Sequence, residues 1–381
     1  MARHILLAMP LLVAAVLCGV LPARTQDSQD DPASEYQRKL AAYQAARQAF
    51  DRSASAYWDS VRQKRQLRNA KRRNGEPIVA EDYVLIQPPL YSGPPRPIPP
   101  TPEEPVPPRP PLPVVADFLR HAFEQYQFVP TRPTNEIDFK RAYAKAAAAA
   151  GLTSDQAVRI YVFEVGGNGK YDTQAGLEND TPGARAISTA LGYNQLLNTN
   201  SVELMAEKGE RFLERLRHKS AMLTGAAKAA FAKKIDVVRQ MTAFCRSVPD
   251  QWNEHEKLAN TPKGLAVHAL NLDIDVGPLL QTQKLLDSII FARRKGYSAH
   301  LTAAELEMMN LTGDGNGFDM ISIPSGMRER IPTSNFFLRS GYERNPVAIR
   351  NDTVAKLLAA TNARMNRGVA QQGAKDLAAA F

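Results

Sequence analysis

Ser154-Asp155-Gln156-Ala157-Val158-Arg159-Ile160-Tyr161-Val162-Phe163-Glu164, followed at once by Val165-Gly166-Gly167-Asn168-Gly169, is the stretch on which the reading of this chain turns. Thr153-Ser154 ahead of Asp155 and Gln156 supplies a helix start, and the glycine run supplies a stop. At 3.6 residues per turn Glu164 shares a face with Ala157, Ile160 and Tyr161. That places a carboxylate on a face expected to be buried, at the helix end that opens into a loop. Burial of an unpaired carboxylate is costly and raises its pKa. A carboxyl that stays protonated near neutral pH suits a general acid for glycoside cleavage. The competing reading is structural, either a solvent-facing Glu or one paired with Arg159 or Arg185.

Helical spacing continues on both sides. Val202, Met205, Gly209, Phe212, Leu213 and Leu216 form one series, and Phe231, Ile235, Val238, Thr242 and Cys245 form another. Strand-like alternation is nearly absent, so residues 114–381 are expected to form a mostly α-helical domain. Four segments follow along the chain: 1–26, 27–85, 86–113 and 114–381. The first reads as an export signal, with Arg3 and His4 before the apolar run Ile5–Val20 and a small residue at Ala23, or else as a retained N-terminal anchor. Lipidation at Cys18 needs a small residue before it, and Leu17 is large. Once the signal is removed, Cys245 has no partner for an intramolecular disulfide and reads as a small buried hydrophobe. The expected compartment is a periplasm or cell envelope.

Within the arm at 27–85, Leu40, Ala54 and Val61 fall on one seven-residue series, and Tyr43, Phe50 and Tyr57 on another, interrupted by Arg47. This is a short coiled-coil-like seam with scope for weak self-association. Residues 35–73 hold eleven Lys or Arg against three Asp or Glu, whereas the whole chain carries +9. Such an arm is a solvated helix face or a surface for anionic lipid and wall polymers. Export makes nucleic acid an unexpected partner. Residues 88–113 contain fourteen prolines. They exclude helix and sheet and predict an extended polyproline spacer of roughly 80 Å, holding the domain away from the arm.

Downstream of Glu164 lie Gly192-Tyr193-Asn194-Gln195 and a helix carrying Gly209-x-x-Phe212-Leu213. Over residues 153–217 this order resembles the lysozyme-like superfamily, specifically lytic transglycosylases and goose-type lysozymes. There a catalytic Glu ends a helix, a Gly-Leu-Met-Gln element follows, and a Gly-x-x-Tyr-Leu helix comes next. The resemblance implies a lysozyme-like helical domain in which Glu164 protonates the bond between N-acetylmuramic acid and N-acetylglucosamine. The same carboxylate then draws the sugar's own 6-hydroxyl into an anhydro ring. It implies that Gln195, Tyr193 and Asn194 line the glycan groove, with Tyr193 offering a stacking face. Asp172 is the nearest second carboxylate for a hydrolytic variant, with Asp180 in the same loop. Tyr297 and Tyr342 are candidates for the Tyr that supports the catalytic Glu in that family.

Two other features carry less. Residues 310–319 have alternating oxygen side chains around glycines but put Ile321 where a calcium loop needs a bidentate Glu, so they read as an Asn/Gly loop. His121, His218, His255, His268 and His300 show no ligand spacing. No metal or cofactor is expected. The expected protein is an exported peptidoglycan-cleaving lytic transglycosylase acting on glycan strands. A non-catalytic envelope protein that binds glycan or scaffolds partners is the alternative, and an interaction protein built on the arm and proline stretch is a third.

Overall fold

The computed structural model describes residues 31–100, 110–178 and 181–381, so the export signal, Cys18 and Asp180 lie outside the described residues. Among the described residues the chain is helical, with three isolated β-bridges and no strand. No helix among them is long and apolar enough to cross a membrane. The mostly α class expected from the periodicities holds.

The chain divides into two compact units, Met1–Asp51 with Tyr91–Pro105, and Arg52–Leu90 with Val106–Phe381. The division falls inside α1 (Pro32–Asn74). In the first unit the Arg47 guanidinium stacks 4.9 Å from the Phe50 ring centre and 5.5 Å from that of Tyr91. Tyr91 in turn lies edge-on to Tyr43 and Phe50. The residue that interrupts the seam is thus bound to the seam's own aromatics, a cation–π contact.

In the second unit Ala54, Tyr57, Trp58, Val61 and Arg68 of α1 are buried. The Tyr57 hydroxyl is 2.6 Å from Ser334 Oγ, and the Trp58 ring packs on Tyr342. The seven-residue series Ala54–Val61 therefore continues to Arg68, but its partner is this chain's own domain rather than a second helix. This corrects the spacer reading: residues 52–90 belong to the same unit as 106–381 and are not held away from it. The proline stretch carries neither helix nor strand at 88–100 and 110–113, as expected, and its residues 101–109 lie outside the described residues. Part of the arm's charge is also committed inside the domain. Arg65 donates to the carbonyls of Asn335 and Phe337, Lys71 pairs with Asp82, and Arg68 and Arg72 pair with Asp319.

The domain proper begins with α2 (Val115–Tyr126), α3 (Glu136–Ala149) and α4 (Ser154–Val165). Thr153 caps α4 as expected. Its hydroxyl accepts the Gln156 N–H, and the Gln156 side-chain Oε1 accepts the Thr153 N–H. The two long helices α5 (Asn198–Ala221) and α6 (Gly225–Cys245) follow. They pack tightly at Gly209, since a Cβ there would lie 2.4 Å from Thr242 Cγ2 and 2.5 Å from its Oγ1. The Gly209-Phe212-Leu213 pattern is thus a helix-packing face. Gly209→Ala is expected to lower stability by about 1–3 kcal/mol through overpacking, less up to about 1 kcal/mol of helix propensity. A urea titration reads this, and an unchanged midpoint would refute it. Cys245 closes α6 fully buried, and burial pushes its thiol up.

The remaining helices are α7 (Trp252–Ala259), α8 (Pro262–His268), α9 (Gly277–Arg294), α10 (Ala303–Thr312) and α11 (Asp314–Ile321). After them come α12 (Ser325–Arg328), α13 (Arg339–Glu343), α14 (Pro346–Arg350), α15 (Val354–Gly368) and α16 (Gln372–Ala378). The loop expected at 310–319 is instead the end of α10, a single break at Gly313 and most of α11. Asp319 is committed to Arg68, and no group of three or more metal-ligating side chains is found among the described residues.

Candidate active site

Glu164 stands one residue before the end of α4, on the face formed by the fully buried Ala157, Ile160 and Tyr161. Gly166, with φ +71°, terminates the helix in the left-handed conformation that favours glycine. Gly167 follows at φ +83°, and a Cβ there would meet the Gly368 carbonyl oxygen at 2.8 Å. The loop is held from both sides. Asn168 Nδ2 donates to Gln371 Oε1 at 2.9 Å, and its Oδ1 accepts the Gly373 N–H. The glycines therefore let the chain turn tightly beneath α15 and α16 while Glu164 keeps part of its surface open.

What faces Glu164 comes from α10 and α15. Asn310 Nδ2 donates to Glu164 Oε1 at 2.8 Å, and the Glu307 carboxyl lies beside Glu164 with both of its oxygens buried and without any other donor to satisfy them. Arg364, whose guanidinium stacks 4.6 Å over the Phe163 ring, adds positive charge nearby. Arg159 is engaged by Asn362 and Asp155, so Glu164 does not pair with it. Two ionised carboxylates are acceptors only, so the contact requires one proton between them. Glu307 is fully buried, and burial together with the charge of Glu164 raises its pKa well above the ordinary range. It therefore keeps the proton, the one donor available to link the two carboxyls. Burial pushes Glu164 up to about 7, against the opposing pull of that link, Arg364 and Asn310.

This pair sets a pH dependence of stability. Both folded pKa values lie above the unfolded Glu value of about 4.3, so the folded state holds more protons and stability falls as pH rises through that window. The loss is up to about 1.4 kcal/mol per pH unit and per carboxyl between pH 5 and 7. His268, whose pKa burial lowers to about 4, contributes the opposite slope below pH 6.5. It is common to wild type and Glu307→Gln, so the difference between their melting curves isolates the pair. The variant is expected to be relatively more stable at pH 7 than at pH 5. Parallel curves would refute a shared proton.

The other expected site residues form a separate bonded cluster. Tyr193 is fully buried against Phe139, Tyr143 and Tyr161, and its hydroxyl donates to Glu136. The stacking face expected of it is covered, because three aromatic neighbours gain more by enclosing the ring than solvent exposure would give. Asn194 is buried too, accepting from the Tyr143 hydroxyl and donating to the Gln281 carbonyl. Gln195 adopts φ +45°, unusual for a non-glycine residue, and its amide donates to the Thr173 and Gly192 carbonyls. These bonds close the turn and do not reach Glu164. Asp172 is paired with Arg132 at 2.5 Å. The two clusters meet through Tyr161, one turn before Glu164 on α4, whose ring centre is 4.7 Å from that of Tyr193.

No family model, curated protein or solved structure matches this chain. The arrangement is therefore argued from its own geometry. Tyr342 packs on Trp58 and Phe337, and Tyr297 on Phe318, so neither expected supporting Tyr bonds Glu164. Asn310 and Glu307 hold it instead. Sequence reasoning missed them, although Thr302-x-x-Glu305 is a capping box that announces α10. Glu307 and Asn310, three apart, share a face of that helix. Glu136, at the first turn of α3, was missed as well. Burial raises its pKa while it accepts from Tyr193 and the Tyr171 N–H.

Proposed function

We propose that this chain is an exported peptidoglycan-cleaving enzyme of lytic-transglycosylase type, with a lysozyme-like helical domain and Glu164 as its acid/base. The observation that carries the reading is the Glu164–Glu307 pair at a helix end, where burial pushes the Glu164 carboxyl up to about 7. In the first step Glu164 gives its proton to the glycosidic oxygen as the bond to the muramic C1 breaks. In the second, its carboxylate takes the proton of the sugar's 6-hydroxyl as that oxygen bonds to C1. The proton returns to Glu164 and no water is consumed. Hydrolysis by two carboxyls needs them about 5 to 9.5 Å apart. Glu307 is fully buried beside Glu164 and faces no open groove, which favours the single-carboxyl route. The exposed remainder of the basic arm serves anionic envelope polymers or lipid in this reading, with the coiled-coil-like seam as an intramolecular packing face.

One observation favours the second reading, glycan binding without cleavage. Tyr193 and Asn194 are spent on the core, so the turn that resembles the family motif offers little to a catalytic groove. Digestion of purified sacculi by the full chain separates the two. Anhydro-ended fragments support the enzyme, and retained sacculus binding with no product supports the binder.

A further inference from the structure

A groove of about 630 Å³ lies among α3, α5 and α9, elements other than those that bear Glu164, Glu307 and Asn310. Its wall is apolar, with Ala146 of α3, Phe212 and Leu216 of α5, and Pro278, Leu279 and Ile290 of α9. Its rim is cationic. Lys145, Arg211, Arg215 and Arg293 line it, and none of the four side chains has a hydrogen bond or ion pair among the described residues. Of the acids near it, Asp275 is engaged by Lys219 and Lys234, and Glu207 and Asp287 by Lys208. Arg211 and Arg215 are one helical turn apart, a spacing at which like charges repel. The rim therefore holds uncompensated positive charge around an apolar trough whose size suits a small molecule.

We propose that this groove binds a single-chain anionic amphiphile, its aliphatic chain along Leu216, Leu279 and Ile290 and its acidic head on Arg211, Arg215 and Arg293. The chain gains by leaving water, at about 25 cal/mol per Å² of apolar surface. The head gains charge-assisted hydrogen bonds from guanidinium groups that lack any other partner. Neither half alone accounts for both the wall and the rim.

Calorimetric titration of the full chain with dodecyl phosphate, below its micelle-forming concentration, tests this. Saturable one-to-one binding is expected, with dodecyl maltoside and inorganic phosphate each at least about tenfold weaker. Arg211→Gln with Arg215→Gln, both exposed and outside the packed core, is expected to weaken dodecyl phosphate about tenfold or more. Ala146→Glu, which puts a like charge in the trough, does the same by a second route. No binding, equal binding of the maltoside, or indifference to both variants overturns the proposal. So does binding confined to anionic phospholipid vesicles, which would assign the arginines to a membrane surface.

Discussion

Glu164→Gln is expected to cut the release of anhydro-ended fragments from sacculi by about 10²–10⁴-fold, the range for loss of a general acid/base, while the protein stays folded. The amide matches the carboxyl in shape and its oxygen still accepts from Asn310 Nδ2. Its NH2 group stands where the second carboxyl oxygen was and can donate to Glu307, whose buried oxygens have no other donor. What is lost is the proton and the negative charge that follows it. The wild-type profile should fall as pH rises through about 7, because only protonated Glu164 can start the reaction. In the proposed mechanism Glu307 is a positioning residue. Glu307→Leu removes the hydrogen bond that lowers Glu164, so the falling limb should move to higher pH, whereas Glu307→Gln keeps a donor and should leave it nearly in place. Full activity in Glu164→Gln would end the catalytic reading, and a limb that ignores Glu307→Leu would end the pairing.

How much of this was legible depends on the range of the interactions. The α4 helix was legible because its start and stop are local: Thr153 and Gln156 bond each other across three residues, and Gly166 ends the turn at once. The burial of the Glu164 face followed from helical period alone. Its partners did not, since Glu307 and Asn310 arrive from a helix far along the chain whose end was masked by Asn and Gly residues. Composition there said loop, yet Gly313 merely separates α10 from α11. The seven-residue series in α1 was legible as a buried stripe, but periodicity gives a stripe and not its partner. Tyr193 shows the same limit. A motif fixed its neighbours in sequence, and four aromatic rings packing together fixed its surroundings.

The largest stability effect is expected at Asp319→Ala, a loss of about 3–5 kcal/mol, because it strands a buried guanidinium. Arg68 is fully buried in the second unit, with Nε donating to Asp319 Oδ2 at 2.9 Å and Nη1 to the Asp82 carbonyl at 3.0 Å. The Tyr83 ring lies 4.2 Å from its guanidinium carbon, and the Tyr83 hydroxyl donates to the other Asp319 oxygen. Arg72 completes the set on Asp319. The carbonyl and the ring orient Arg68 but carry no full negative charge, so only Asp319 offsets the cost of taking its charge out of water. Replacing both partners by apolar residues, Arg68→Met with Asp319→Leu, should recover most of the loss, since neither charge is then buried alone. Urea unfolding of wild type, the two single variants and the pair gives the coupling energy directly. Additive losses would show that the side chains act independently. The same argument makes residues 114–381 an unsound fragment for any activity assay, because cutting there removes Arg68, Arg72 and Tyr83, the side chains bonded to Asp319, together with the buried face of α1.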